Sequence, residues 1–347
     1  MLASDTLNNS LSFNGQTWLI TGAAGFLGFN TAQTMLSQGA TIVGLDNWDP
    51  YYTLDLKKWN LEQLNQYKNF HFITANIEKP EDCELALRPF VSAISNTGGL
   101  IHLAARAGVR PSISQPVEYL KTNVEGTANL LEWSKKHDIK RWVFASSSSV
   151  YGDSAHRAPF NEEMNIGRPV SPYAATKAMG EQLLHTYHHL HDFSIAALRF
   201  FTVYGPSQRP DLAVHKFAKC LLENRPIPVY GDGSFARDYT YVTDTVAGIL
   251  ASAQLVNQWD SLNKPGYEII NLGNNKAQTV MALIAGLEEA LDLKANLNYL
   301  PHQPGDVTLT CADSAKAKKL LGYESNVPFQ TGLKLFASWC RDYYQAI

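Results

Sequence analysis

The 347-residue chain has four cysteines, no basic residue before Lys57 and no long apolar run. Cys83, Cys220, Cys311 and Cys340 stand far apart without metal-ligand spacing, which argues against a disulfide scaffold or a zinc site. A secretory leader needs a basic start, and Met1 to Ser12 offers none, so the expectation is a cytoplasmic protein. No apolar stretch approaches the ~20 residues that span a bilayer, so no membrane partner is expected. A formal charge of −3 with 18% charged residues fits neither a broad nucleic-acid surface nor a disordered chain. His185, His188, His189 and His191 cluster without a carboxylate or Cys at matching spacing, so they read as a solvated helix end and no metal is expected. What is present is 45% hydrophobic residues and a length that, at ~150 residues per domain, allows one large domain or two moderate ones.

Apolar segments of strand length alternate with helix-like segments through the first two hundred residues. Thr17–Thr21, Thr41–Asp46, Phe70–Ile77, Leu100–Ala104, Arg141–Ser146 and Ser194–Phe200 are continuous apolar runs of the kind that parallel strands buried on both faces show. Helix patterns cover Phe26–Gln38, Val117–His137 and Tyr173–His189. The alternation predicts an α/β protein with a Rossmann-type, right-handed, doubly wound parallel sheet. After Phe200 prolines and glycines cluster, and separate helices follow at Val280–Leu291 and Thr331–Tyr344. The expected organisation is a nucleotide-binding domain over 1–200, with later returns near 239–274, and a smaller substrate-binding α/β region over 201–347.

Gly22-Ala-Ala-Gly25-Phe-Leu-Gly28 lies between the first strand and the first helix. Glycines allow a tight turn and close backbone approach, and the helix start presents free N–H groups to a pyrophosphate. Asp46 ends the next strand, 18 residues beyond Gly28. A carboxylate there binds both adenosine ribose hydroxyls and repels a 2′-phosphate. No Lys or Arg lies close to it in sequence, which favours NAD over NADP.

Tyr173 and Lys177 stand at i and i+4 on one helix face. A phenol of pKa about 10 is a poor base at neutral pH, and a nearby ammonium or a cationic nicotinamide would lower it. Such a pair alone is common on solvated helices. Here Ser146-Ser-Ser-Ser149-Val-Tyr-Gly152 follows an apolar strand, so hydroxyls stand at a parallel strand's C-terminal end, where ligands bind. One of them can hydrogen-bond the oxygen that Tyr173 deprotonates. Serines merely capping the turn would explain one or two of the four.

With these residues assembled, the sequence resembles the extended short-chain dehydrogenase/reductase superfamily, among its nucleotide-sugar epimerases the UDP-glucuronate 4-epimerases above all. The resemblance runs through Ile20–Gly28, Leu45–Asn47, His102–Ser112, Ser146–Gly152, Ser171–Lys177, Arg199–Pro206, Arg209–Ala213, Tyr230–Val242, Asn271–Asn274 and Gln303–Val307, in order and over nearly the whole chain. It implies that Tyr173 takes the proton of a sugar 4-hydroxyl while bound NAD receives the hydride from C4 and returns it to the opposite face. Lys177 would hold the nicotinamide ribose and Ser147 would bridge Tyr173 and sugar. The phosphate loop (Gly22, Gly25, Phe26, Leu27, Gly28) would hold the pyrophosphate, with Asp46 and Asn47 at the ribose. Asn76 and Ile77 would flank the adenine, Ala104, Ala105 and Asn123 would line the cofactor, and Phe200 would approach the nicotinamide. A homodimer through Val117–His137 and Tyr173–His189 is a further implication.

Related dehydratases carry Asp-Glu where Ser148-Ser149 stand, and decarboxylases carry Glu at the Ser149 position. A missing carboxyl group removes the general acid/base of elimination, typically worth ~10²–10⁴-fold. Hydroxyls there also suit a uronate carboxylate. By resemblance Ser148, Ser149 and Thr202 would contact that carboxylate and Arg209 would anchor the sugar, with Arg110 a basic candidate at the cofactor–sugar junction. Arg237 and Asp306 would bind the UDP phosphates and ribose, and Val229 and Tyr230 would sit against the uracil. Ser207-Gln208 replace the common Trp-Gly, which would open the pocket to neutral UDP-sugars such as UDP-glucose or UDP-N-acetylglucosamine. The alternatives are therefore a neutral-sugar 4-epimerase, then a UDP-glucuronate decarboxylase or a nucleotide-binding protein without turnover.

Overall fold

The structure, a computed structural model, describes residues 12–153, 158–301 and 307–346. Strands β1 (Thr17–Thr21), β2 (Thr41–Asp46), β3 (Phe70–Thr74), β4 (Leu100–His102), β5 (Arg141–Ser147) and β6 (Ser194–Phe200) are followed by β7 (Thr202–Tyr204), β8 (Ile227–Tyr230), β9 (Ala236–Tyr241), β10 (Tyr267–Leu272), β11 (Ala277–Thr279) and β12 (Leu297–Leu300). The central sheet is parallel and ordered β10-β6-β5-β4-β1-β2-β3. Its middle strands are apolar and buried on both faces: β1 and β6 are buried at every position. Two separate cores cover the faces, one around Ile20, Ile101, Val143 and Leu198, the other around Leu19, Val43, Trp142 and Ile195. Successive residues of one strand thus enter opposite cores, as the period of two requires.

The helices connecting and covering the sheet are α1 (Phe26–Ser37), α2 (Leu54–Leu64), α3 (Pro80–Leu87), α4 (Val91–Thr97), α5 (Val109–Ser114), α6 (Pro116–Leu120), α7 (Gly126–Lys136) and α8 (Pro172–His191). Beyond β6 come α9 (Ala213–Leu222), α10 (Val242–Ser261), α11 (Val280–Leu291), α12 (Ala315–Leu321) and α13 (Phe329–Ala346). The single helix expected over Val117–His137 is α6 and α7 joined by a π-helical stretch, Lys121–Glu125. Such single wide turns inside helices often mark functional sites. A three-stranded sheet, β11-β9-β7, and a parallel pair, β12-β8, build the C-terminal part. The parallel strands place their C-terminal ends, and the loops after them, along one edge of the molecule, where ligands of open α/β sheets bind. No helix among the described residues is long and apolar enough to cross a membrane.

Candidate active site

A cleft of about 470 Å³ opens at that edge. At one end lies the glycine loop. Gly22 has φ of +71°, and a Cβ on it would stand 2.9 Å from the Ala104 backbone nitrogen; one on Gly28 would stand 2.0 Å from the Gly22 carbonyl oxygen. The loop is therefore pressed between α1 and the end of β4, where side chains cannot follow. The α1 N-cap is Gly25, with no side-chain cap and no acidic residue in the first turn, so its N–H groups face the cleft without a carboxylate competitor. Asp46 closes β2 on the cleft wall, and Ala75 and Ile77 add apolar surface beside it. A pressed glycine cradle, an uncapped helix start and a carboxylate at the second strand fit a dinucleotide.

Asp46 departs from expectation in one respect. It has no cationic neighbour in sequence, yet Lys57 of α2 reaches back and places Nζ 2.8 Å from Asp46 Oδ1, with both residues buried. Helix α2 is itself tied to the glycine loop by Asn60, whose side-chain amide donates to the Ala24 carbonyl at 2.9 Å.

The chemistry-bearing residues converge at the centre. Helix α8 starts with Ser171 capping the Ala174 N–H, which points Tyr173 and Lys177 toward the end of β5. Strand β5 ends at Ser147, whose hydroxyl accepts the Ser149 N–H at 3.2 Å and lies 3.1 Å from the Ser149 hydroxyl. Ser147 also shares the cleft with Tyr173. Burial holds the Tyr173 phenol above its usual 10, opposite to what a base needs, while the Ser147 hydroxyl and the Arg209 guanidinium pull it down. Lys177 stands one turn further along α8. Its Nζ donates to the Ala145 carbonyl at 2.7 Å, and burial pushes it down to about 7, against the opposing charge of Glu181. Ser146 turns away from this set: its hydroxyl donates to Glu181, which also takes two bonds from Arg199 at 2.9 and 2.8 Å. All four serines border the cleft, and Ser146 is the one whose hydroxyl is committed to the buried Glu181.

Arg209 enters from the C-terminal part. Its guanidinium stacks 5.1 Å from the Tyr51 ring and is held in a fork by Asp211, at 3.0 and 2.7 Å. Ser207 and Gln208, expected to alter the sugar pocket, face inward instead. Both are buried, and Gln208 is spent on the Val203 carbonyl and the His215 N–H. Their replacement of Trp-Gly therefore reshapes the support of Arg209 rather than the cleft wall.

Of the residues singled out in sequence, Gly22, Gly25, Phe26, Leu27, Gly28, Asp46, Asn47, Ile77, Ala104, Ala105, Ser147, Ser148, Ser149, Tyr173, Lys177, Phe200, Thr202 and Arg209 line this one cleft. Asn123 lies behind it: its amide accepts from Arg106 N at 2.8 Å and donates to Arg106 O and the Thr176 hydroxyl. Asn76 turns its side chain to the Glu78 N–H. Arg110 and Tyr230 meet each other, the guanidinium 4.8 Å from the ring centroid. Val229 is fully buried in the core, and Arg237, on β9, donates to the Ala236 carbonyl at 3.0 Å. Asp306 lies outside the described residues. The histidines of α8 lie at its open end, with His185 and His189 exposed and His188 and His191 half-buried, and His185 and His188 also meet the Tyr267 ring at 5.1 and 5.9 Å.

The sequence reading missed Asp49, Tyr51, Tyr52, Lys57, Arg106 and Leu212, which share the cleft. Asp49 and Arg106 pair at 2.7 Å, and the Tyr51 hydroxyl donates to the Ala107 carbonyl at 2.8 Å. The available signal was the run Asp49-Pro50-Tyr51-Tyr52, three residues after Asp46, two phenols and an acid in a segment too polar for core.

Residues 18–273 match the NAD dependent epimerase/dehydratase family. The chain is 40% identical over 331 residues, 95% of its length and 98% of the relative's, to a UDP-glucuronate 4-epimerase of Thermodesulfobacterium geofontis. Its fold is similar to that of a UDP-glucuronic acid 4-epimerase from Bacillus cereus in complex with UDP-glucuronic acid and NAD, at TM-score 0.84 and 33% identity, covering 95% of this chain and 100% of the other. It is also similar to a UDP-glucose 4-epimerase from Thermotoga maritima with UDP-glucose, at TM-score 0.82 and 30% identity, again covering 95% and 100%. The chain belongs to the NAD-dependent epimerase/dehydratase family.

Proposed function

We propose that the chain is an isomerase that epimerises a UDP-sugar at C4, interconverting UDP-glucuronate and UDP-galacturonate, with NAD held between turnovers. The observation that carries the uronate reading is the set of hydroxyls at Ser148 and Ser149, where an acid/base for elimination would need a carboxyl group, in one cleft with Tyr173, Thr202 and Arg209. Hydroxyls donate to a carboxylate without adding negative charge.

When bound, NAD supplies a reversible hydride acceptor. The chain's own residues do the rest. The Tyr173 phenolic oxygen takes the proton of the 4-hydroxyl and later returns it, with the Ser147 hydroxyl bonded to both oxygens. Arg209 stabilises negative charge on that phenol and steadies the sugar. Lys177, anchored on the Ala145 carbonyl, orients the nicotinamide ribose. The glycine loop and Asp46 bind the adenosine end, and Arg237, Arg110, Tyr230 and Asp306 serve the UDP end, with Val229 packed in the core beside Tyr230.

Purified protein incubated with UDP-glucuronate and followed by NMR gives UDP-galacturonate without added reductant. UDP-xylose as the product would overturn the reading, and turnover confined to UDP-glucose or UDP-N-acetylglucosamine would replace the uronate by a neutral sugar. We further propose a cytoplasmic homodimer. Its support is an apolar face beside α8, where Val117 is 57% and Met179 45% exposed, next to a groove lined by Val124, Ile166, Ala175 and Leu183.

A further inference from the structure

The Asp46–Lys57 pair is buried on the cleft wall, with side chains 5% and 7% exposed. Asp46 Oδ1 accepts both the Lys57 ammonium at 2.8 Å and the Trp48 N–H at 3.0 Å. The hydrogen bonds to Asp46 among the described residues all fall on Oδ1, so Oδ2 is the oxygen left for an incoming group. Lys57 has its ammonium 5.7 Å from the Tyr52 ring centroid, and its helix is anchored to the glycine loop through Asn60. The other cations near this end are engaged elsewhere, Arg106 with Asp49 and Arg209 with Asp211.

The position of this pair has two chemical consequences. A carboxylate with one oxygen pinned presents the other in a fixed direction, which suits a ribose diol. The pair as a whole carries no net charge, so a 2′-phosphate is turned away by the bare oxygen it meets and not by a general negative field. Behind that oxygen stands a buried ammonium, and a buried ammonium deprived of its carboxylate must find another anion or lose its proton.

We propose that Lys57 determines cofactor selectivity through Asp46. Paired, it turns Oδ2 to the adenosine ribose of NAD and keeps its own charge occupied; unpaired, the same ammonium becomes the cation that accepts the 2′-phosphate of NADP. The site is thus a masked phosphate site with the carboxylate as the mask. This rests on the reading that the cleft holds NAD.

The test measures Kd for NAD and for NADP by calorimetry, after exchange of any co-purified nucleotide, on the wild type, Asp46→Ser and Asp46→Ser/Lys57→Met. The wild type prefers NAD. Asp46→Ser binds NADP ~10-fold or more tighter than the wild type does, the size of one hydrogen bond to a charged group. Adding Lys57→Met abolishes that gain. An NADP gain that survives in the double variant, or none in a folded Asp46→Ser protein, overturns the proposal. A wild type that binds no NAD would instead sink the cofactor reading, a separate outcome. If Asp46→Ser does not fold, judged by circular dichroism, the isosteric Asp46→Asn carries the same comparison.

Discussion

At the scale of single residues, the buried histidines show how the chain fixes protonation states. His215 sits between the Gln208 carbonyl at Nδ1 and the Tyr344 hydroxyl at Nε2, so in its neutral form Nδ1 donates and Nε2 accepts. Burial pushes His215 down to about 4 and His102, bonded to Thr21 and Thr127, down to about 3. The unfolded chain therefore binds these protons first. The stability they contribute is fully present above their ordinary 6.5 and is lost as pH falls through about 4 and 3. Asp238 works in the opposite sense. Burial raises it to about 6 despite four hydrogen bonds to its carboxylate, so its contribution is greatest below its ordinary 3.8 and fades as pH rises through about 6. The expected outcome is that Tm falls as pH is lowered from 6.5 toward 4, and that His215→Gln flattens the slope while Asp238 is unchanged. A melting series over that range, wild type against variant, checks it; parallel curves would remove His215 from the account.

At the scale of elements, the segment between β2 and α2 crosses the cleft mouth toward the loop after β4. The Asp49–Arg106 ion pair and the Tyr51–Ala107 hydrogen bond join the two, and Arg209 stacks on the same Tyr51. A strap fastened at two points slows the departure of a ligand beneath it. Asp49→Ala removes one fastening, and an ion pair at the cleft mouth that stays partly open to solvent is worth ~0.2–1 kcal/mol. The variant should release bound NAD ~2–5-fold faster, read by chasing fluorescent NADH with excess NAD. An unchanged release rate would mean that the strap does not hold the cofactor. The strap also shows what sequence could and could not reveal. β1, β2 and β6 were legible to their end residues because a strand buried on both faces needs a continuous apolar run, and Tyr173, Lys177 and Ser147 were legible because each sits at an element's start or end. Lys57 was not, since only the path of α2 brings it back over a strand end eleven positions earlier. Asn123, placed at the cofactor by resemblance, is spent on the backbone of Arg106 because the π-helical turn at Lys121–Glu125 rotates it behind the cleft wall.

At the scale of the whole molecule, α6 and α8 leave apolar side chains outside both cores. Val117, Leu120, Val170 and Met179 are each more than two-fifths exposed, and a groove of about 640 Å³ runs beside them. Contiguous apolar surface of this sort usually marks an interaction site. For the proposed homodimer, Val117→Glu should shift sedimentation toward the monomer and leave circular dichroism unchanged; a wild type that sediments as a monomer would end the proposal.

The order of the central sheet has its own consequence for how the chain is made. Strand β6, buried at all seven positions, is flanked on one side by β5 and on the other by β10, which lies ~70 residues further along the chain. During synthesis at ~5–20 residues per second, β6 waits several seconds with an apolar edge uncovered. Tyr173, Lys177 and the serines after β5 emerge before that edge is closed. A chain truncated near Phe200 and released from the ribosome should thus hold all the groups proposed for proton transfer and still be the species most prone to aggregate.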